Sequence, residues 1–177
     1  MNLRSVGPDH PAEWLAVLRI VVGLFIAKAI WTKMAIVMAG GVIPVPSASA
    51  RWLATMPKLV AKQAAGNPHL WYKDFLETTV LPNSHLFAHL TAWGEVIAGV
   101  LLTLGLLTGL GSLLALWLVL NYGLASYWMT PNGFGFHLML VAILVACFGA
   151  RAGRRWGLDA VIAKRKPGSI LTRRPFS

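Results

Sequence analysis

Four long apolar runs, separated by short polar or glycine- and proline-bearing breaks, organise this 177-residue chain. They cover about residues 14–39, 86–107, 110–129 and 134–150. A hydrocarbon layer about 30 Å thick is crossed by about 20 apolar residues in a helix. Each run therefore predicts a membrane-crossing helix, the fourth being the shortest. Thr108-Gly109 separates the second run from the third, and Thr130-Pro131-Asn132-Gly133 the third from the fourth. Such short connections force antiparallel neighbours. The predicted fold class is all-α: an integral membrane four-helix bundle, up-down-up-down, forming a single transmembrane domain.

The segment at about 40–85 is less regular. Val42-Ile43-Pro44-Val45-Pro46-Ser47 predicts a proline-broken exit from span one. Ser47 or Ser49 then caps a helix over about 50–63, which Gly66-Asn67-Pro68 ends; a second helix covers about 68–80. These read as short interfacial helices between spans one and two, serving either as a shield for the helix ends or as a lid over a pocket. Trp31, Trp71, Tyr72, Tyr127, Trp128 and Trp156 fall near predicted span ends, where interfacial aromatics belong.

Composition agrees: 56% hydrophobic and 12% charged is not the balance of a soluble domain. The net charge of +10 is concentrated, with eight of sixteen basic residues beyond position 150. A basic tail over 151–177, directly after a span, predicts the cytoplasmic side and contact with anionic lipid rather than nucleic acid. An even number of spans then puts both termini in the cytoplasm, in a bacterial plasma membrane. The single cysteine, Cys147, excludes an intramolecular disulfide.

The few ionised residues inside the runs, Arg19, Lys28, Lys33 and Glu95, are the candidate chemistry, because charges at membrane depth are costly unless paired or facing a polar cavity. Counting 1.5 Å per residue from the expected outer ends puts Lys33 roughly 10 Å, Glu95 roughly 13 Å and Lys28 roughly 18 Å deep, with Asn121 near the level of Glu95. Lys28 is the expected partner of Glu95, and Lys33 either joins the layer or snorkels outward. Arg19 is expected to snorkel toward headgroups at the inner end. Trp93 and Tyr122 are placed to line a pocket. His89 and His137 are candidate transverse haem ligands, against the plainer reading of interfacial hydrogen bonding. His85 and His89 lie one turn apart with no third ligand evident, so no metal site is expected. Gly94, Gly99 and Gly105 read as close-packing positions.

These residues resemble the DoxX/DoxD family of small four-span membrane proteins. Leu18-Arg19-Ile20-Val21-Val22-Gly23-Leu24-Phe25, followed by Thr32-Lys33-Met34, is similar to the family's opening. Gly94-Glu95 with Gly99, Leu102, Gly105, Leu106 and Thr108 is similar to its span-two signature, and Asn132-Gly133 before span four also fits. Gly153-Arg154-Arg155-Trp156-Gly157-Leu158-Asp159 resembles its closing element. The resemblance leaves out about 40–81. It also departs at Ile30, where a glycine is common, and at Gly109, where an arginine often follows the threonine.

The resemblance implies a role beside membrane redox chemistry, since the DoxD branch resembles the membrane subunit of thiosulfate:quinone oxidoreductase. No Gly-rich dinucleotide loop is present, and one cysteine cannot hold an iron–sulfur cluster. One expectation is a quinone-linked subunit. In it Glu95, Lys28 and Lys33 are catalytic, while Asn121, Trp93 and Tyr122 hold the quinone. The other is a non-catalytic accessory subunit of a larger respiratory or photosynthetic complex. Both imply contact with lipid and with other membrane subunits or further copies of the chain.

Overall fold

The computed structural model describes residues 11–177 and is mostly helical. In chain order the main elements are α1 (Pro11–Ala27), α2 (Ala29–Thr32), β1 (Met34–Ala39), β2 (Ile43–Ala48), α3 (Ala50–Ala65), α4 (Leu70–Phe75), α5 (Ser84–Leu104), α6 (Thr108–Ser126), α7 (Gly133–Gly149) and α8 (Leu158–Arg165). Among the described residues, three helical stretches are long and apolar enough to cross a membrane: Pro11–Thr32, Ser84–Leu104 and Thr108–Ser126. The fourth apolar helix, α7, is 17 residues long. The N-terminal end, on which the expected placement of both termini bears, lies outside the described residues.

One expected element is corrected. The first apolar run continues to Ala39, but its helix stops at Thr32 and the chain turns into a β-hairpin. Met34 pairs with Ala48 and Ala39 with Ile43 in antiparallel register. Gly40 and Gly41 take positive φ values of 60° and 77°, a conformation glycine adopts without steric cost. Pro44 and Pro46 lie opposite Met38 and Ile36, two residues apart on the same set of alternate positions. There neither proline interrupts the ladder, because every second N–H of an edge strand points away from its partner. Hydropathy carried the span too far: the hairpin's first strand is as apolar as the helix before it.

The chain forms two compact units. Among the described residues, one contains the segment 11–27 with Ile97–Leu116 and Leu140–Ser177; the other contains Lys28–Val96 and Trp117–Met139. Helices α5, α6 and α7 each contribute a segment to both.

In the first unit α1 lies against α5 through small residues. A Cβ on Gly23 would fall 2.5 Å from the Thr103 backbone nitrogen, and one on Gly99 would collide with the Ala27 backbone. Arg19 does not snorkel. It is fully buried, and its guanidinium donates to the Leu102 carbonyl at 2.8 Å and the Trp156 carbonyl at 3.2 Å. The reason is local. The turn after α5 exposes carbonyls that its own helix cannot satisfy, and a buried guanidinium needs acceptors. Asp159 completes this knot. Its carboxylate accepts the Leu107 and Thr108 N–H groups at 2.8 and 2.9 Å, capping the start of α6, while its own N–H donates to the Gly105 carbonyl at 2.8 Å. Gly105 is obligatory here: its φ is +61°, and any Cβ would meet the Arg19 guanidinium.

The second unit has its core where α3, α4 and the π-helical turn Leu76–Val80 pack with the start of α5 and the end of α6. Met56, Val60, Ala64, Tyr72, Leu76 and Ala88 are its buried centre. Ser49, one of the two expected caps, accepts the Trp52 N–H at 3.2 Å and starts α3.

Candidate functional site

Lys33 follows α2 directly. Its backbone N–H donates to the Ala29 carbonyl at 2.8 Å, and its carbonyl accepts the Ser49 N–H at 2.8 Å. The residue is thereby fixed between the end of a helix and the base of the hairpin. Its ammonium reaches Glu95 on α5 with Nζ 2.8 Å from Oε1. The side chains are only 16% and 14% exposed, so water screens this pair weakly and its attraction exceeds that of a surface pair.

Two rings enclose the ammonium. The Trp52 ring of α3 lies 4.2 Å from Nζ and the Tyr122 ring of α6 lies 5.4 Å away, both within cation–π range. Trp52 is held in place because its indole N–H donates to the Ala88 carbonyl at 3.0 Å. The Tyr122 hydroxyl is buried beside Glu95 without a well-aligned hydrogen bond. One cation, one carboxylate and one unspent phenol therefore face each other in a sheltered site. Such a set can donate to a carbonyl oxygen and exchange a proton with it.

The expected residues divide. Lys33, Glu95 and Tyr122 come together. Lys28 does not take the expected place as partner of Glu95: it lies exposed, five residues back, while Lys33 makes the pair. The physical reason is the early end of the helix, which turns Lys33 inward against α5. Asn121 is occupied elsewhere. It accepts the Tyr72 hydroxyl at its backbone oxygen (3.0 Å) and side-chain oxygen (3.3 Å), and its amide donates to the Trp117 carbonyl at 2.8 Å. Burial pushes the Tyr72 phenol up to about 12, so it stays a neutral donor. Trp93 is half-buried on α5, and no ring or cation contact joins it to the pair among the described residues.

The histidines are engaged locally. The His89 ring lies 4.8 Å from that of His85, one turn earlier, and His137 Nδ1 lies 2.7 Å from the Gly133 carbonyl oxygen. No cluster of three or more His, Cys, Asp or Glu side chains is arranged to hold a metal among the described residues.

Sequence reasoning missed Trp52 as the ring beneath Lys33. Its only signal was an apolar position on an amphipathic helix, which says nothing about which charge it will meet. It also missed that Arg19, Gly105 and Asp159 form one knot, although all three stand in the quoted motifs.

No curated protein and no solved structure matches the chain. The profile of the DoxD family, described as "TQO small subunit DoxD", matches residues 14–171. That match reaches into both units and takes in Lys33, Glu95, the buried knot, the second and third candidate spans and the first from Trp14 onward. An apolar chain with these helices is an integral membrane protein, and a match over most of its length shows that it belongs to the DoxD family.

Proposed function

We propose that this chain is the quinone-binding membrane subunit of a thiosulfate:quinone oxidoreductase-type complex in a bacterial plasma membrane. In this reading its four apolar helices cross the bilayer up-down-up-down, with both termini cytoplasmic and α3 and α4 lying at the outer interface. The observation that carries it is the sheltered Lys33–Glu95 pair, framed by Trp52 and Tyr122. The family description supplies the reaction class.

Joining two thiosulfate ions through a new S–S bond releases two electrons, and a quinone takes these up with two protons to become a quinol. A partner subunit delivers the electrons. Lys33 donates a hydrogen bond to one quinone oxygen and Tyr122 to the same or the opposite one. Glu95 passes protons singly, returning to the carboxylate that Lys33 stabilises. The Trp52 and Tyr122 rings give the headgroup flat apolar walls.

The test is quinone reduction by the purified native complex with a reduced sulfur donor. Glu95→Gln keeps the shape but removes the proton carrier, and should lower kcat by about 10²–10⁴-fold. Retention of full turnover in that variant, with a normal pH profile, would refute the assignment.

A non-catalytic accessory role is the second reading. The knot favours it, since Arg19 and Asp159 are spent on backbone groups and hold the fold. In that case the chain co-purifies with a larger complex whose quinone turnover is unaffected by Glu95→Gln.

A further inference from the structure

We propose that the C-terminal tail and the end of α5 form a binding site for anionic phospholipid, with an apolar groove for an acyl chain and a bank of cations for the phosphate headgroup. The groove is lined by Thr103, Leu104, Trp156, Gly157, Leu158 and Val161. It continues a lipid-compatible surface. Ile97, Val100 and Leu104 are all exposed and recur at three- and four-residue spacing, so they form one stripe along α5 that ends at the groove.

Beside it the exposed charge is mainly positive. Arg154, Arg155, Lys164, Arg165 and Lys166 are exposed, and of these Arg155 lies 3.9 Å from the Glu13 carboxylate of α1. Asp159, the one acidic residue beyond position 150, is 2% exposed, and its carboxylate is occupied by the Leu107 and Thr108 N–H groups. The buried knot thus removes the tail's one acidic side chain from its surface. Lys164, Arg165 and Lys166 make no ion pair among the described residues.

The knot also presents the anchor. Trp156 has φ +50°, a left-handed conformation costly for a bulky residue, and Arg19 holds its carbonyl from beneath. The indole is left 57% exposed at the groove. An outward indole flanked by cations and apolar side chains suits the headgroup level of a bilayer. The interleaved apolar residues are what favour a lipid over a soluble anion, which needs cations alone.

The test uses the full chain reconstituted in phosphatidylcholine vesicles. The association of spin-labelled phosphatidylglycerol is compared with that of spin-labelled phosphatidylcholine. The wild type should prefer phosphatidylglycerol several-fold, and the preference should fade as salt is raised, a readout independent of any variant's folding. The triple variant Lys164→Gln/Arg165→Gln/Lys166→Gln should lose the preference, since one cation near an anionic surface is worth about fivefold. Lys58→Gln/Lys62→Gln on α3 should keep it. Equal association of both lipids with the wild type would overturn the proposal. So would a triple variant that retains the preference, or its abolition by millimolar inorganic phosphate at constant ionic strength, which would mark a soluble-anion site.

Discussion

Removing the Asp159 carboxylate should unlock the first unit. The residue is 2% exposed and accepts two backbone N–H groups, Leu107 at 2.8 Å and Thr108 at 2.9 Å. Hydrogen bonds to a charged group contribute about 1.5–3 kcal/mol each, so Asp159→Ala should cost about 3–6 kcal/mol. The carboxylate is tightly packed: even a Cβ on Gly153 would strike it. Arg19, buried nearby, loses its counter-charge as well. For a chain of this length the loss corresponds to a fall in melting temperature of about 6–24 °C, at about 2–4 °C per kcal/mol. The assay is thermal unfolding of the purified protein in detergent, followed by intrinsic tryptophan fluorescence. Asp159→Asn should fall between wild type and Asp159→Ala, because its amide oxygen can accept only one of the two N–H groups while its NH₂ opposes the other. If Asp159→Ala melts within about 2 °C of wild type, the carboxylate does not hold the α5–α6 turn and the reasoning fails.

The Lys33–Glu95 pair should behave as a coupled unit. Lys33→Met or Glu95→Leu alone should each destabilise by about 1–4 kcal/mol, and the double variant by less than the sum, which a double-mutant cycle of melting free energies measures. Strict additivity would mean that the two charges do not interact. Gly99→Leu should prevent the close approach of α1 to α5 and lower the yield of folded protein in size-exclusion profiles, whereas Gly149→Ala, where a Cβ meets nothing, should be silent. The buried Tyr72 phenol sits at about 12, against about 10 in an unfolded chain. Its neutral form is the one the fold prefers, so its contribution is complete below about pH 10 and shrinks by about 2–3 kcal/mol as pH rises toward 12. Alkaline titration of tyrosine absorbance should show a phenol that titrates near pH 12 and is lost in Tyr72→Phe.

The apolar periodicity carried most of the helical content. The helices observed at 84–104, 108–126 and 133–149 lie within three residues of their expected bounds, because an uninterrupted apolar run is itself the physical demand of a bilayer. Ser49 as a cap, and Gly99 and Gly105 as close-packing positions, were likewise legible, whereas a Cβ on Gly94 would meet Leu118 only at ordinary contact distance. The end of the first span was not. Hydropathy is blind to the difference between an apolar helix and an apolar strand, and only the Gly40-Gly41 turn with the two prolines after it hinted at the hairpin.

A charged group inside an apolar run had to find company, and that necessity was readable from composition and spacing alone. Which company it found was a matter of three dimensions. Lys33 rather than Lys28 meets Glu95 because the chain leaves the helix at Thr32 and swings the later lysine against α5 and Trp52. Arg19 turns inward because carbonyls more than eighty residues away along the chain arrive beside it. Pair energies depend on separation and shelter, and neither quantity exists until distant segments have packed.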